Sequence, residues 1–127
     1  MTHNDRILLV DDDDDIREVM QDVLASEGYW VDVARDGAEA LAKLPGVTPP
    51  SLILLDMMMP NMDGETFLEA LRSKPQMADA RVVVVSGSAG IREKATAMDV
   101  AACLVKPFEL DELLGVVRRL TEGQPRH

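Results

Sequence analysis

The chain has 127 residues, with 23 Asp and Glu against 13 Lys and Arg, a formal net charge of −10. That size allows one domain with a core that needs no staples, and its 46% hydrophobic content is too high for a disordered chain. The single cysteine, Cys103, excludes an internal disulfide and a cysteine-built metal site, and the charge opposes nucleic-acid binding. The apolar runs are too short to span a bilayer, and the first six residues lack the apolar core of a signal peptide. A cytoplasmic location with no membrane partner is expected.

Ile7-Leu8-Leu9-Val10 is the first aliphatic strand. Ile16, Val19, Met20, Val23 and Leu24 follow at the spacing of one helix face, and Gly28 stands where a helix C-terminal glycine would. Trp30 to Ala34 is a weaker, alternating strand. Asp36 is placed as a helix N-cap, with Glu39 positioned to complete a capping box. That helix runs through Leu41 and Leu44 and stops at Pro45. A turn-rich connection from Gly46 to Pro50 leads to the third strand, Leu52-Ile53-Leu54-Leu55. A loop from Asp56 to Asp63 precedes a helix carrying Phe67, Leu68 and Leu71, closed by Lys74-Pro75. Val82-Val83-Val84-Val85 is the strongest strand signal. Ile91, Ala95 and Met98 mark a short helix, Ala102 to Val105 a last strand, and Leu110, Leu113, Leu114, Val117 and Leu120 a final helix.

The order is (βα)5. Strands that are continuous aliphatic runs are buried on both faces, which requires a parallel sheet covered by helices. Five units are too few for an eight-stranded barrel. They fit a doubly wound α/β fold, a three-layer sandwich, in a single domain over 1–127, with a core at about 6–121 and a polar tail at 122–127.

In such sheets ligands bind outside the carboxyl ends of the strands. The residues there are Asp11 to Asp15 after the first strand, Asp56 after the third, Ser86-Gly87-Ser88 after the fourth and Lys106-Pro107-Phe108 after the fifth. Clustered carboxylates repel one another, and a divalent cation removes that penalty. Oxygen-only ligands suit Mg²⁺. A carboxylate is also a nucleophile able to form an acyl phosphate, with Lys106 and Ser86 available to stabilise phosphoryl oxygens. Together these residues are the parts needed for phosphoryl transfer to Asp56. Singly, each has a plain reading. Asp13 to Asp15 are acids in a first helical turn, Asp56 a turn residue, Ser86 a helix cap and Lys106 a surface charge. Asp11-x-Asp13-x-Asp15 fails as a calcium loop, because Ile16 replaces the required Gly and Asp22 the required Glu. Met57-Met58-Met59 is read as packing in or beside the core.

Ile7 to Asp12, the stretch Leu54-Leu55-Asp56-Met57-Met58-Met59-Pro60-Asn61-Met62-Asp63-Gly64, Val85-Ser86-Gly87 and Leu104-Val105-Lys106-Pro107-Phe108 resemble the receiver domain of bacterial two-component response regulators. The resemblance implies a flavodoxin-like sheet of order 2-1-3-4-5. It implies Asp56 as phosphoacceptor, and Mg²⁺ bound by Asp12, Asp56 and the backbone carbonyl of Met58, with Asp11 reaching the metal mainly through water. Ser86 is similar to the family's mobile hydroxyl residue, and Lys106 to the lysine that pairs with the phosphoryl group, with a cis Lys106-Pro107 peptide. Met58 and Ser88 match positions that tune hydrolysis of the phosphoryl group. The donor would be a histidine kinase or a histidine phosphotransfer protein. The output would be contact with a downstream protein target or effector domain, through the last two strands and helices, by a monomer or a phosphorylation-dependent dimer. Catalysis would extend only to the domain's own phosphorylation and dephosphorylation. The short tail is expected of a stand-alone regulator, although a fragment of a larger one would look much the same.

Two positions depart from the family pattern. Cys103 occupies the place, three before the lysine, where an aromatic ring is usual, and Asp99 stands where Gly often ends a helix. A haloacid-dehalogenase-like phosphatase, with Asp11 as nucleophile, is the enzyme alternative. It needs more chain for substrate-facing segments and lacks the Lys-Pro-Phe ending. A degenerate receiver serving as a scaffold is favoured only by Cys103.

Overall fold

In the computed structural model the described residues are 6–44, 50, 52–57, 64–77, 80–87 and 90–122. The aliphatic runs become strands β1 (Arg6–Val10), β2 (Trp30–Ala34), β3 (Leu52–Asp56), β4 (Arg81–Ser86) and β5 (Ala102–Val105), most of them a residue or two longer than the runs themselves. They form one parallel sheet in the order β2-β1-β3-β4-β5. Helices α1 (Asp14–Ser26), α2 (Gly37–Lys43), α3 (Gly64–Arg72), α4 (Ile91–Ala97) and α5 (Leu110–Glu122) alternate with the strands, and a short 3-10 turn at Pro75–Met77 follows α3.

Side chains alternate between the two faces, which is why the runs had to be apolar throughout. Leu8, Val10, Ile53, Leu55, Val82 and Val84 pack with Phe67, Leu71 and Ile91 of α3 and α4. Ile7, Leu9, Leu52, Leu54, Val83 and Val85 pack with Met20, Leu24, Leu113 and Val117 of α1 and α5. Burying each such side chain contributes about 1.5–3 kcal/mol. The reversal of direction beside β1, combined with right-handed crossovers, puts α1 and α5 on one face and α2, α3 and α4 on the other.

The helix ends follow their local chemistry. Asp13 caps α1, its Oδ1 accepting from the N–H groups of Asp15 and Ile16 at 3.0 and 3.1 Å. Gly28, with φ 96°, lies just past the α1 C-cap, where a positive φ favours glycine. Asp99, φ 56°, adopts the left-handed conformation at the end of α4 that Gly often supplies, as an Asp can. Asp36 caps α2, accepting from the Glu39 N–H at 2.8 Å. The box does not close as expected: the Glu39 carboxylate takes the N–H of Arg35 at 3.0 Å, one residue before the cap. That backbone bond holds the Glu39 carboxyl below its ordinary range.

One apolar position of α1 departs from its expected role. Met20 and Leu24 are buried, but Val19 is 50% exposed. The helix presents its buried stripe to the sheet, and Val19 sits on the flank, at a groove shared with the β5–α5 connection.

Candidate functional site

The carboxyl ends of neighbouring strands are tied by backbone bonds. Asp11 N–H donates to Ala34 O at 3.1 Å, Met57 N–H to Val85 O at 3.0 Å and Lys106 N–H to Ser86 O at 2.8 Å. These bonds fix the residues that leave the sheet first: Asp11 after β1, Asp56 at the end of β3, Ser86 at the end of β4 and Lys106 after β5. Asp11, Asp56 and Ser86 are buried, at 1%, 4% and 1% exposure.

Lys106 Nζ stands 3.5 Å from Asp11 Oδ2 and 3.7 Å from Asp56 Oδ2, so one ammonium faces two buried carboxylates. Asp11 Oδ1 is engaged separately, accepting from the Asp13 N–H at 2.9 Å. Asp12 lies exposed at the rim. One carboxylate oxygen from each of Asp11, Asp12 and Asp56 lies within 4.8 Å of the others. Three carboxylates against one ammonium leave a surplus of negative charge that a divalent cation would offset, and an all-oxygen donor set fits Mg²⁺.

The predicted residues Asp11, Asp12, Asp56 and Lys106 thus come together, and Ser86 is buried at the same end of the sheet. Met58 and Ser88 lie outside the described residues, as does Met59. Met57 is buried and joins the core beneath α3. The Lys106-Pro107 peptide is cis, as the resemblance implies.

Three features were not foreseen from the sequence. Arg17, on the first turns of α1, donates from Nη1 to the backbone carbonyl of Asp11 at 2.8 Å. Gly64, the first residue of α3, lies so close to Met57 that an added Cβ would fall 2.4 Å from its Sδ and 3.0 Å from its Cα. A groove of about 580 Å³ runs beside Lys106, lined chiefly by Ile16, Val19, Met20, Pro107, Phe108 and Leu110. The apolar stripe of α1 gave no signal for the groove, because helix-face spacing does not show which of its residues stays open. The other two contacts depend on the packed fold.

A family model described as the response regulator receiver domain matches residues 7–118. Response regulator MprA of Mycobacterium ulcerans is 39% identical over 117 residues, which is 91% of this chain and 49% of the relative. The chain therefore spans about half the length of the curated relatives it matches. Among solved structures, the Vibrio cholerae chemotaxis protein CheY4 superposes with a TM-score of 0.84 at 32% identity, over 93% of this chain and 99% of that one. The Thermotoga maritima response regulator TrrA, in complex with Mg²⁺-BeF, superposes with a TM-score of 0.80 at 34% identity, over 91% and 98%. The chain belongs to the response regulator receiver domain family, whose members are phosphorylation-controlled signalling modules rather than metabolic enzymes. No helix among the described residues is long and apolar enough to cross a membrane.

Proposed function

We propose that Asp56 accepts a phosphoryl group from a phosphohistidine on a histidine kinase or a phosphotransfer protein. The observation that carries this reading is the position of Lys106 Nζ, 3.5 and 3.7 Å from carboxylate oxygens of Asp11 and Asp56 at the ends of separate strands. An Asp56 oxygen attacks phosphorus, the P–N bond to the donor imidazole breaks, and Asp56 becomes an acyl phosphate. Lys106 meets the negative charge that develops on the phosphoryl oxygens. Ser86, buried at the end of β4, supplies a hydroxyl that donates to another oxygen once the group is in place.

Asp12 and Asp56, with the backbone carbonyl of Met58, are the residues that would hold Mg²⁺ directly, and Asp11 would act mainly through water. When bound, Mg²⁺ supplies positive charge to the transferring group. The alternative of Asp11 as a phosphatase nucleophile is disfavoured because its Oδ1 already accepts the Asp13 N–H at 2.9 Å.

The groove between α1 and the β5–α5 connection suits the donor. It is largely apolar, borders Lys106, and presents Val19 and Leu110 at 50% and 41% exposure, so an apolar helix face seated there would lie against Lys106, whose Nζ is 3.7 Å from Asp56 Oδ2. On this reading residues 1–127 are one receiver domain acting in the cytoplasm. Its phosphorylation alters contacts that α4, β5 and α5 make with a downstream protein or effector domain, as a monomer or as a phosphorylation-dependent dimer.

The metal assignment is tested by titrating Mg²⁺ into the wild-type chain and the Asp12→Ala variant. The variant should bind more weakly, yet unfold at a higher temperature in metal-free buffer because like-charge repulsion is relieved. Equal affinity in both proteins would remove Asp12 from the ligand set.

A further inference from the structure

Asp11 and Asp12 are adjacent in sequence, so the peptide between them sets how the two carboxylates face one another. The carbonyl of that peptide, Asp11 O, accepts a hydrogen bond from Arg17 Nη1 at 2.8 Å. The second arm of the same guanidinium, Nη2, pairs with Asp14 Oδ1. The Arg17 side chain is only 15% exposed although its partner Asp14 is 81% exposed, so the guanidinium lies folded against the corner between β1 and α1. Besides the ion pair of its Oδ2 with Lys106, Asp11 is thereby held by three hydrogen bonds. Its N–H donates to Ala34 O, its Oδ1 accepts from the Asp13 N–H, and its carbonyl accepts from Arg17.

We propose that Arg17 is a positioning residue for the cation site: by fixing the Asp11–Asp12 peptide it holds the two carboxylates in the arrangement that binds Mg²⁺. The proposal rests on the reading of Asp11, Asp12 and Asp56 as that site. A planar guanidinium can hold a carbonyl and a carboxylate at once in fixed directions, and a lysine ammonium on its flexible stem cannot.

The direction of the effect separates this role from simple electrostatics. Arg17 is a cation close to a cation site. If only its charge mattered, removing it would strengthen Mg²⁺ binding. A positioning role requires the opposite, because the freed peptide lets Asp12 sample orientations that do not bind.

The test is calorimetric titration of Mg²⁺ into the 127-residue chain and into Arg17→Ala, Arg17→Lys and Asp12→Ala. Thermal unfolding in metal-free buffer and amide NMR shifts of the strands accompany the titrations. Arg17→Ala should bind Mg²⁺ roughly tenfold more weakly, the low end for losing an outer partner of metal ligands. Arg17→Lys keeps the charge and loses the fork, and should also bind more weakly. Strand amide shifts should stay close to wild type in both. Unchanged or tighter binding by Arg17→Ala overturns the proposal while leaving the metal site itself standing. If Arg17→Ala does not fold, Arg17→Lys decides by the same criterion. Failure of the wild-type chain to bind Mg²⁺, or no loss on Asp12→Ala, overturns the site reading and this proposal with it.

Discussion

Lys106 meets Asp56 across the end of the sheet, with Nζ 3.7 Å from Oδ2, although the two residues are carried by strands that do not pair with each other. The sheet order makes the contact possible, because β4 lies between β3 and β5 and its register aligns their ends: Asp56 lies opposite Val85, and Ser86 opposite Val105. The same ammonium faces Asp11, so it is counter-charge to two buried carboxylates. Lys106→Met keeps much of the aliphatic stem and removes the charge. In Mg²⁺-free buffer it should lose about 1–3 kcal/mol of stability, the cost of leaving buried charge without its partner. Urea unfolding with and without Mg²⁺ checks this. Mg²⁺ should restore more stability to the variant than it adds to wild type, since a ligand stabilises the folded state in proportion to its binding. An equal gain in both proteins would mean that Lys106 does not neutralise this pair.

Gly64 should tolerate no side chain. A Cβ there would meet Met57 Sδ at 2.4 Å and Met57 Cα at 3.0 Å, and the second contact is backbone next to Asp56. Gly64→Ala should therefore cost about 1–3 kcal/mol by overpacking. It should also slow acyl-phosphate formation, because the shift reaches the peptide that follows Asp56. Denaturant unfolding and labelling by acetyl phosphate measure the two effects. A variant that matches wild type in both would show that the neighbouring chain gives way at no cost.

Val19→Asp should separate protein-dependent from protein-independent phosphorylation. Val19 is half exposed, so its replacement should change stability by no more than about 0.5 kcal/mol. Labelling from acetyl phosphate should be unaffected. Transfer from a phosphorylated donor should slow, because an acid would lie in the apolar groove. Equal donor transfer by both proteins would place the donor on another face.

Cys103 should limit how far phosphorylation is felt. It lies on β5, partly buried, and packs against the α3–α4 side of the core. By strand alternation it shares a face with Val105, which lies opposite Ser86. A thiol fills little of the space that an aromatic ring would occupy there, so it offers little difference in contact between two states. Phosphorylation should shift the amides of residues 91–105 modestly, and Cys103→Tyr should enlarge those shifts. A large response in the native chain that the variant does not exceed would put the coupling elsewhere.

The strands and their burial were legible because Ile7 to Val10, Leu52 to Leu55 and Val82 to Val85 are aliphatic on both faces, a pattern only a covered parallel sheet satisfies. The grouping of Asp11, Asp56 and Lys106 was legible because the fold fixes where strands end. The contact of Arg17 with Asp11 O was not, since a charged residue at that helix position is equally at home in solvent. Glu39 had the spacing for a capping box, and only the path of the chain before α2 gave its carboxylate the Arg35 N–H instead. Val19 has helix-face spacing, but which edge of an apolar stripe stays open depends on what packs beside the helix.

Asp56 as the phosphoacceptor is tested most directly by mass-spectrometric mapping after incubation with acetyl phosphate and Mg²⁺. The wild-type chain should gain one phosphoryl group, located on Asp56, and none without Mg²⁺. Asp56→Asn replaces the nucleophile with a poor one of nearly the same shape, so it should keep the wild-type fold by circular dichroism and gain none. Labelling of Asp11, or undiminished labelling of Asp56→Asn, would contradict the assignment.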